Sequence, residues 1–178
     1  MDEALIIQRF REGLEKLVEA GKIELTQQGH RATGSLVESL EAKIISEDLD
    51  KLVGVIMAED YGLIVDQGVK ASRVPFSGTG GSGENQRSKY IEALLRWAQI
   101  VRPSLREKER KSFVFAVAHK HRKEGIPTGG SFSFSQNNRR TNWIRYGIEE
   151  FVPALEGDLR LFDLMSRILE KQIDEALQ

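Results

Sequence analysis

Apolar residues repeat with the spacing of an α-helix at both ends of the chain. The first repeat consists of Ile6, Phe10, Leu14 and Leu17. Asp2 can cap this helix, and Gly21 supplies a stop signal after it. The second repeat begins at about Asp158 and consists of Leu161, Met165, Ile168, Leu169, Ile173 and Leu177. We therefore expect an amphipathic N-terminal helix and a long amphipathic C-terminal helix.

Between residues 41 and 58 the pattern changes to short runs rich in Ile and Val. Segments 41–47 and 52–58 are separated by a polar turn, which predicts a β-hairpin. Just before it, Ser35 and Glu38 have the spacing of a capping box and predict a short second helix.

Two helices are expected in the central third of the chain. Tyr90–Val101 shows helical spacing of apolar residues and is followed by Pro103. The segment from Ser104 to Glu124 predicts a second helix that closes at a glycine. A short segment, Tyr61 to Asp66, fits either a strand or a helical turn.

The central helices are flanked by two irregular arms. Residues 71–87 are rich in Gly and Ser and show no apolar periodicity, which predicts a long mobile loop. In the second arm, residues 128–142, Phe132 and Phe134 alternate with serines as in one short strand of an exposed arm.

These elements predict a single α+β domain over residues 1–178. In it, a small antiparallel sheet packs against the N-terminal helix and the long C-terminal helix. Residues 71–142 form a helical insertion that carries the two extended arms.

The formal net charge of the 178 residues is only −1, with 26 Lys and Arg against 27 Asp and Glu. The charges are segregated along the chain. Residues 1–60 have 7 basic and 13 acidic side chains, residues 61–150 have 16 and 8, and residues 151–178 have 3 and 6. The neutral total is therefore a cancellation between a basic middle and two acidic flanks.

Several kinds of chemistry lack support in the sequence. There is no cysteine, which excludes disulfides, thiolate metal sites and a cysteine nucleophile. The longest unbroken apolar run after the N-terminus, Phe113–Ala118, is too short to span a bilayer, and we expect a soluble protein made and used without export. Residues 78–83 read GTGGSG and match a dinucleotide-binding pattern, but no buried strand precedes them, so a flexible linker is favoured.

The remaining candidates for catalysis are isolated. His119 and His121 fall on roughly opposite sides of a helix and cannot share a metal, and His30 is the third histidine. Glu41 and Lys43 resemble part of a metal-dependent nuclease core, although such triplets are abundant by chance. We therefore expect no enzyme activity and no cofactor.

The basic middle has two interpretations. Between Arg102 and Lys123 there are eight Lys and Arg against two Glu, and Arg139 and Arg140 follow a pair of asparagines in the second arm. Such a surface can neutralise nucleic-acid phosphates. It can equally be a solvated helix face that pairs with the acidic N-terminal block of the same or a neighbouring subunit.

Three short motifs follow one another along the chain. Thr33–Leu40 reads TGSLVESL, Ala58–Gly68 reads AEDYGLIVDQG, and Glu150–Leu155 reads EFVPAL. Together they resemble the tail-completion, or minor tail, proteins of long-tailed bacteriophages. The first motif is similar to the opening T-G-x-L-x-x-S of that family and the second to its Y-A-x-x-V-E-x-G-T segment. The third resembles its P-F-x-x-P-A-L, which leads into a closing helix.

The resemblance implies a structural virion protein of the head–tail junction, made in the host cytoplasm and without catalytic activity. It implies a homo-oligomeric ring of sixfold or twelvefold symmetry that contacts other neck, portal-adaptor and tail proteins. The ring would leave a channel for DNA, which it would contact non-specifically. The alternative is a stand-alone nucleic-acid-binding protein that uses the basic insertion. The expected interface residues are Tyr61, Asp66, Gly68, Phe76, Arg139, Arg140, Phe151, Pro153 and Ala154.

Overall fold

The computed structural model describes residues 3–30, 33–48, 51–76 and 88–153. The helices and strands are α1 (Glu3–Gln27), α2 (Ser35–Ser39), β1 (Glu41–Asp48), β2 (Lys51–Met57), α3 (Gly62–Gln67), α4 (Lys89–Val101) and α5 (Glu107–Glu124), with 3-10 helices at Ala71–Arg73 and Gly129–Phe134 and a π-helix at Arg145–Glu149. Helices thus accompany a two-stranded antiparallel sheet, which confirms the α+β class.

The described residues fall into two compact units. Unit one contains 3–26, 36–59 and 143–153, and unit two contains 27–35 and 60–142, with the gaps given above. The single-domain organisation expected from the sequence stays a prediction.

The core of unit one is built on α1. Its buried apolar residues are Ile6, Leu14, Val18 and Leu25, and they are joined by Leu36, Leu40 and Trp143 from other segments. Burying each large apolar side chain contributes roughly 1.5–3 kcal/mol. The predicted N-terminal helix is therefore confirmed, and its stability comes from one packed stripe.

The predicted end of this helix at Gly21 is wrong, because α1 continues to Gln27. Gly21 is buried where α1 meets other parts of unit one, and a Cβ there would lie 3.0 Å from the Leu40 Cδ2 and 3.4 Å from the Ile148 Cγ1. A glycine inside a helix costs about 1 kcal/mol relative to alanine. Here that cost is offset by close packing, so the glycine marks a contact rather than a terminus.

The predicted hairpin is confirmed. Strands β1 and β2 pair antiparallel from Glu41 opposite Met57 to Asp48 opposite Lys51. An irregularity between Ile44 and Ser46 leaves one extra residue on β1, as in a β-bulge. The sheet packs on α1 at Gly54, where any side chain would overlap the Leu14 side chain.

Unit two is organised around α4 and α5, both expected from the sequence. Helix α4 begins after Ser88, whose Oγ accepts a hydrogen bond from the Ile91 backbone N–H at 3.3 Å. Helix α5 begins at Glu107, three residues later than predicted, and ends before Gly125 as predicted. The buried core between the helices consists of Ile91, Ala98, Val114 and Ala118.

Two ring contacts fasten this pair of helices. Trp97 and Phe113 stack nearly parallel, with ring centroids 5.8 Å apart. The Tyr90 hydroxyl lies 2.7 Å from the His121 Nδ1, so α4 and α5 also share a polar contact. Burial raises the pKa of Tyr90 and lowers that of His121, so a hydrogen bond between the neutral side chains is favoured.

Two shorter segments differ from simple strands. The segment at Tyr61 to Asp66 takes the helical alternative, as α3. The strand expected at Phe132 and Phe134 is wrong, because Gly129–Phe134 is a 3-10 helix. Within it, the Ser131 Oγ donates to the Thr128 O and the Ser133 Oγ to the Gly130 O. Such local side-chain bonds compete with strand pairing and favour turns.

The long helix expected from Asp158 lies outside the described residues, as does most of the first arm, residues 77–87.

Candidate interaction surface

Segment 135–142 of the second arm is fastened to two other parts of unit two. The Gln136 backbone N–H donates to the Gln27 O at 2.7 Å, at the end of α1. The Asn142 backbone N–H donates to the Asp66 O at 2.7 Å, near the end of α3. The arm therefore connects the end of α1 to α3 through its backbone.

Four residues at this connection are joined by hydrogen bonds: Gln28, His30, Arg140 and Thr141. We call them the polar cluster. Gln28 is fully buried, and its Nε2 donates to the Thr141 O at 3.0 Å. The Arg140 Nη1 donates to the Gln28 O at 2.6 Å. The His30 Nε2 lies 3.3 Å from the Gln28 Oε1 and 3.2 Å from the Arg140 O. Because both of these oxygens are acceptors, the tautomer that fits carries its hydrogen on Nε2.

The polar cluster holds His30 in its neutral form. The pKa of His30 is lowered from 6.5 to about 4, mainly by burial and also by the Arg140 charge, while the hydrogen bond to the Arg140 backbone acts in the opposite direction. Burial also lowers the pKa of Arg140. Arg140 thus has a guanidinium that is already bonded within the unit, and its role toward a partner stays a prediction.

Gly68 and Gly125 flank a backbone bridge and make it possible. Val69 and Ile126 exchange hydrogen bonds of 2.6 and 2.8 Å. Gly68 has φ +71° and Gly125 has φ +87°, a conformation that side chains disfavour. A Cβ on Gly68 would lie 2.5 Å from the Ile126 O, and one on Gly125 equally close to the Val69 O. The predicted site residue Gly68 therefore shapes the backbone here.

Phe76 is held in the surface of the helical pair. Its ring meets the His119 ring edge-on at 4.9 Å and lies 6.2 Å from the Phe115 ring. Tyr61 and Arg139 are exposed, and the Arg139 backbone N–H is held in a turn by the Ser135 Oγ at 3.1 Å.

The structure thus places six of the expected residues in unit two and two in unit one. Phe151 is half-buried and Pro153 is exposed, and both belong to unit one. Ala154 lies outside the described residues.

Sequence reasoning missed the apolar side chains that these elements present outward. Leu63 and Ile64 of α3 are 60% and 57% exposed, and Phe134 at the end of the 3-10 helix is 67% exposed. The sequence feature that predicts this exposure is the apolar run Leu63-Ile64-Val65. Successive residues of a helix point in different directions, so a six-residue helix cannot bury all three side chains.

The other candidate chemistry is not assembled in the part of the chain described. Residues 78–83 lie outside it, and Glu41 stands at the exposed start of β1. His119 contacts Phe76 while His121 contacts Tyr90, and no group of three or more His, Asp or Glu side chains among the described residues could hold a metal ion. None of the helices described has the length and apolar character needed to cross a bilayer.

No protein-family model, no curated protein and no solved structure matches this chain.

Proposed function

We propose that this protein is a structural subunit of the head–tail junction of a long-tailed bacteriophage, which acts by assembling into a ring rather than by catalysis. The observation that carries the proposal is the exposure of α3. This helix lies in Ala58–Gly68, a segment that resembles the family, and it directs Leu63 and Ile64 to the surface. Exposed apolar side chains grouped on one short element are typical of a surface that another molecule covers.

The anchoring of α3 supports the same function. The Asp66 O is bonded to Asn142, and Gly68 abuts the bridge between Val69 and Ile126. A rigid support lets a small apolar surface bind without a large ordering cost. We infer that α3 is a preformed contact element toward a neighbouring subunit.

The charge segregation fits a ring. A closed ring of one kind of subunit needs two unlike surfaces that meet head to tail. The acidic first 60 residues and the basic middle supply opposite charges on the same chain. Assembly is therefore expected to weaken as salt rises, because exposed charges are screened.

The experiment is a measurement of mass in solution, together with a search for the chain in purified virions. We expect the wild-type chain to form oligomers by light scattering and the Leu63→Ser/Ile64→Ser variant to remain monomeric. The matched control is Ile45→Ser/Ile100→Ser, which removes two apolar side chains of similar exposure elsewhere. Equal loss of assembly in both variants, or a wild-type chain that is monomeric and absent from virions, would contradict the proposal.

The alternative is a stand-alone nucleic-acid-binding protein, and the observation in its favour is the excess of Lys and Arg on α4 and α5. A monomer that binds nucleic acid tightly and is absent from virions would favour this alternative.

A further inference from the structure

The end of α4 and the start of α5 line an open, mostly polar groove. Its volume is about 350 Å³, and its walls are formed by Leu95, Arg96, Gln99, Glu107, Arg110 and Lys111. Three of these six residues are cations, one is a carboxylate and only one is apolar. A groove of this composition suits an anion that is presented by a larger molecule.

Three of the four carboxylates of the helical pair are engaged within unit two. The Glu107 Oε1 lies 2.6 Å from the Lys111 Nζ, and the Glu109 Oε2 accepts a hydrogen bond from the backbone N–H that precedes α5. The Glu124 Oε2 accepts another from the loop after α5. Residues 89–124 contain ten Lys and Arg against four acidic residues. These acids therefore leave a marked excess of positive charge on the helical pair.

Two arginines at the groove differ in the contacts that their side chains make within unit two. The Arg96 side chain is exposed and its guanidinium makes no hydrogen bond or ion pair within the described residues, so it is available to a ligand. The Arg110 Nη2 donates to the Leu105 O at 2.8 Å, which fixes the direction of its side chain at the groove wall. The Arg96 guanidinium can therefore contact a phosphate oxygen, while Arg110 adds a fixed positive charge at the groove wall.

We propose that this groove binds the phosphodiester backbone of duplex nucleic acid, with Arg96 and Lys111 contacting phosphates and Gln99 donating a further hydrogen bond. Side chains of these types make the phosphate contacts that position proteins on a duplex without reading its sequence. The site lies within unit two alone, and the proposal does not depend on ring assembly.

Two other occupants fit the groove less well. An acidic protein partner would need an apolar centre to its interface, and Leu95 is the single apolar residue of the lining. A single strand would need aromatic rings on which bases stack. The nearby Trp97 and Phe113 rings are half-buried and stack on each other instead, and neither lines the groove.

The groove also differs from the basic pair in the second arm. Arg140 is bonded to the Gln28 O within the polar cluster, and burial lowers its pKa, so its charge is partly removed from solvent. At the groove, Arg96 is exposed, and Lys111 pairs with Glu107 at the surface, where the Lys111 side chain is 42% exposed. Backbone contacts are therefore assigned to α4 and α5 rather than to Arg140.

The test is fluorescence anisotropy of the full chain with a labelled duplex of about 30 base pairs, between about 50 and 200 mM salt. Wild-type protein is expected to bind, with an affinity that falls linearly on a plot of log K against log salt. Arg96→Gln/Lys111→Gln should weaken binding at least about tenfold and reduce the slope by about 1.8, at about 0.9 for each phosphate contact. The matched control Lys43→Gln/Lys70→Gln removes the same charge from two exposed residues that do not line the groove and should bind like wild type.

Four results would overturn the proposal. They are absence of duplex binding at about 50 mM salt, equal weakening by the control, preference for a single strand of the same length, and competition by polyglutamate as effective as by unlabelled duplex. Thermal unfolding checks that the variants remain folded. If the double variant unfolds, Arg96→Gln alone, which removes no bond, must reduce the slope by about 0.9. Light scattering on the same samples reports assembly separately, so a failure here is distinguishable from failure of the ring proposal.

Discussion

Gly147 of the π-helix lies directly against Gly21 of α1. A Cβ on Gly147 would be 3.0 Å from the Gly21 Cα and 2.9 Å from the Glu24 Cβ. Both glycines are buried, so the two backbones approach more closely than side chains would permit. This contact joins Arg145–Glu149 to the last third of the long first helix within unit one.

The close approach predicts that Gly147→Ala destabilises the protein. An added methyl group has to displace α1 backbone atoms rather than a flexible side chain, and overpacking of this kind costs typically 1–3 kcal/mol. Chemical denaturation monitored by circular dichroism measures the loss. Gly129→Ala is the control, because the nearest atom to its Cβ would be a carboxylate oxygen at 3.7 Å, and we expect a change within about 0.5 kcal/mol. Equal stability of the two variants would contradict the packing described.

The neutral state of His30 predicts a dependence of stability on pH. The folded pKa is about 4 and the ordinary value is 6.5, so the unfolded chain binds the proton more readily between these values. The contribution is complete above pH 6.5 and is lost as the pH falls toward 4. Each pKa unit corresponds to about 1.4 kcal/mol, and partial exposure of the ring reduces the expected total to about 2 kcal/mol.

The measurement compares wild type with His30→Gln, which retains a donor near the position of Nε2. The free energy of unfolding of wild type should fall more steeply than that of the variant between pH 6.5 and 4. Parallel curves for the two proteins would show that His30 has the same pKa in the folded and the unfolded chain. That result would contradict the effect of burial and of the Arg140 charge on His30.

Arg140 and Arg139 are neighbours with different roles in folding. Arg140→Met leaves the Gln28 O without its charged donor, and the loss of such a bond costs about 2 kcal/mol. Arg139→Met changes an exposed side chain and should alter stability by less than about 0.5 kcal/mol. Thermal melts of the two variants test the difference, and a larger loss in the Arg139 variant would argue against the polar cluster as the anchor of the arm.

The contact between Tyr90 and His121 predicts a modest cost for Tyr90→Phe. The hydroxyl lies 2.7 Å from the His121 Nδ1 in a half-buried position, and a hydrogen bond of this type contributes about 1 kcal/mol. Tyr61→Phe serves as the control, since the Tyr61 side chain is exposed. Urea denaturation should separate the two variants, whereas identical midpoints would mean that α4 and α5 are held by apolar contacts alone.

Local patterns predicted the elements whose signals lie within a few residues. The Ile- and Val-rich runs predicted β1 and β2, the apolar spacing before Pro103 predicted α4, and the segment that closes at Gly125 predicted α5. The same kind of reasoning failed at Gly21, because a helix terminus and a close backbone contact both select glycine. Only the approach of Leu40 and Ile148 distinguishes the two.

The candidate site was predicted less completely. The resemblance predicted Tyr61, Asp66 and Gly68 as interface residues. In the structure, residue 68 has to be a glycine because a Cβ there would lie 2.5 Å from the Ile126 O. Leu63 and Ile64 were not singled out, because exposure on a short helix depends on what the rest of the fold leaves uncovered. The function of this surface stays a proposal.

The sequence by itself determined the α+β class, the helical pair, the hairpin and the separation of charge into a basic middle and acidic flanks, since these depend on residue type and on neighbours close in the chain. Only the tertiary structure decided that Arg140 bonds the Gln28 O across 112 positions and that His30 is held neutral by burial and by the Arg140 charge. It also decided that the second arm folds as a 3-10 helix and turns. The physical reason is that hydrogen bonds and burial join groups that are close in space, and no periodicity in the chain records which distant residues will meet.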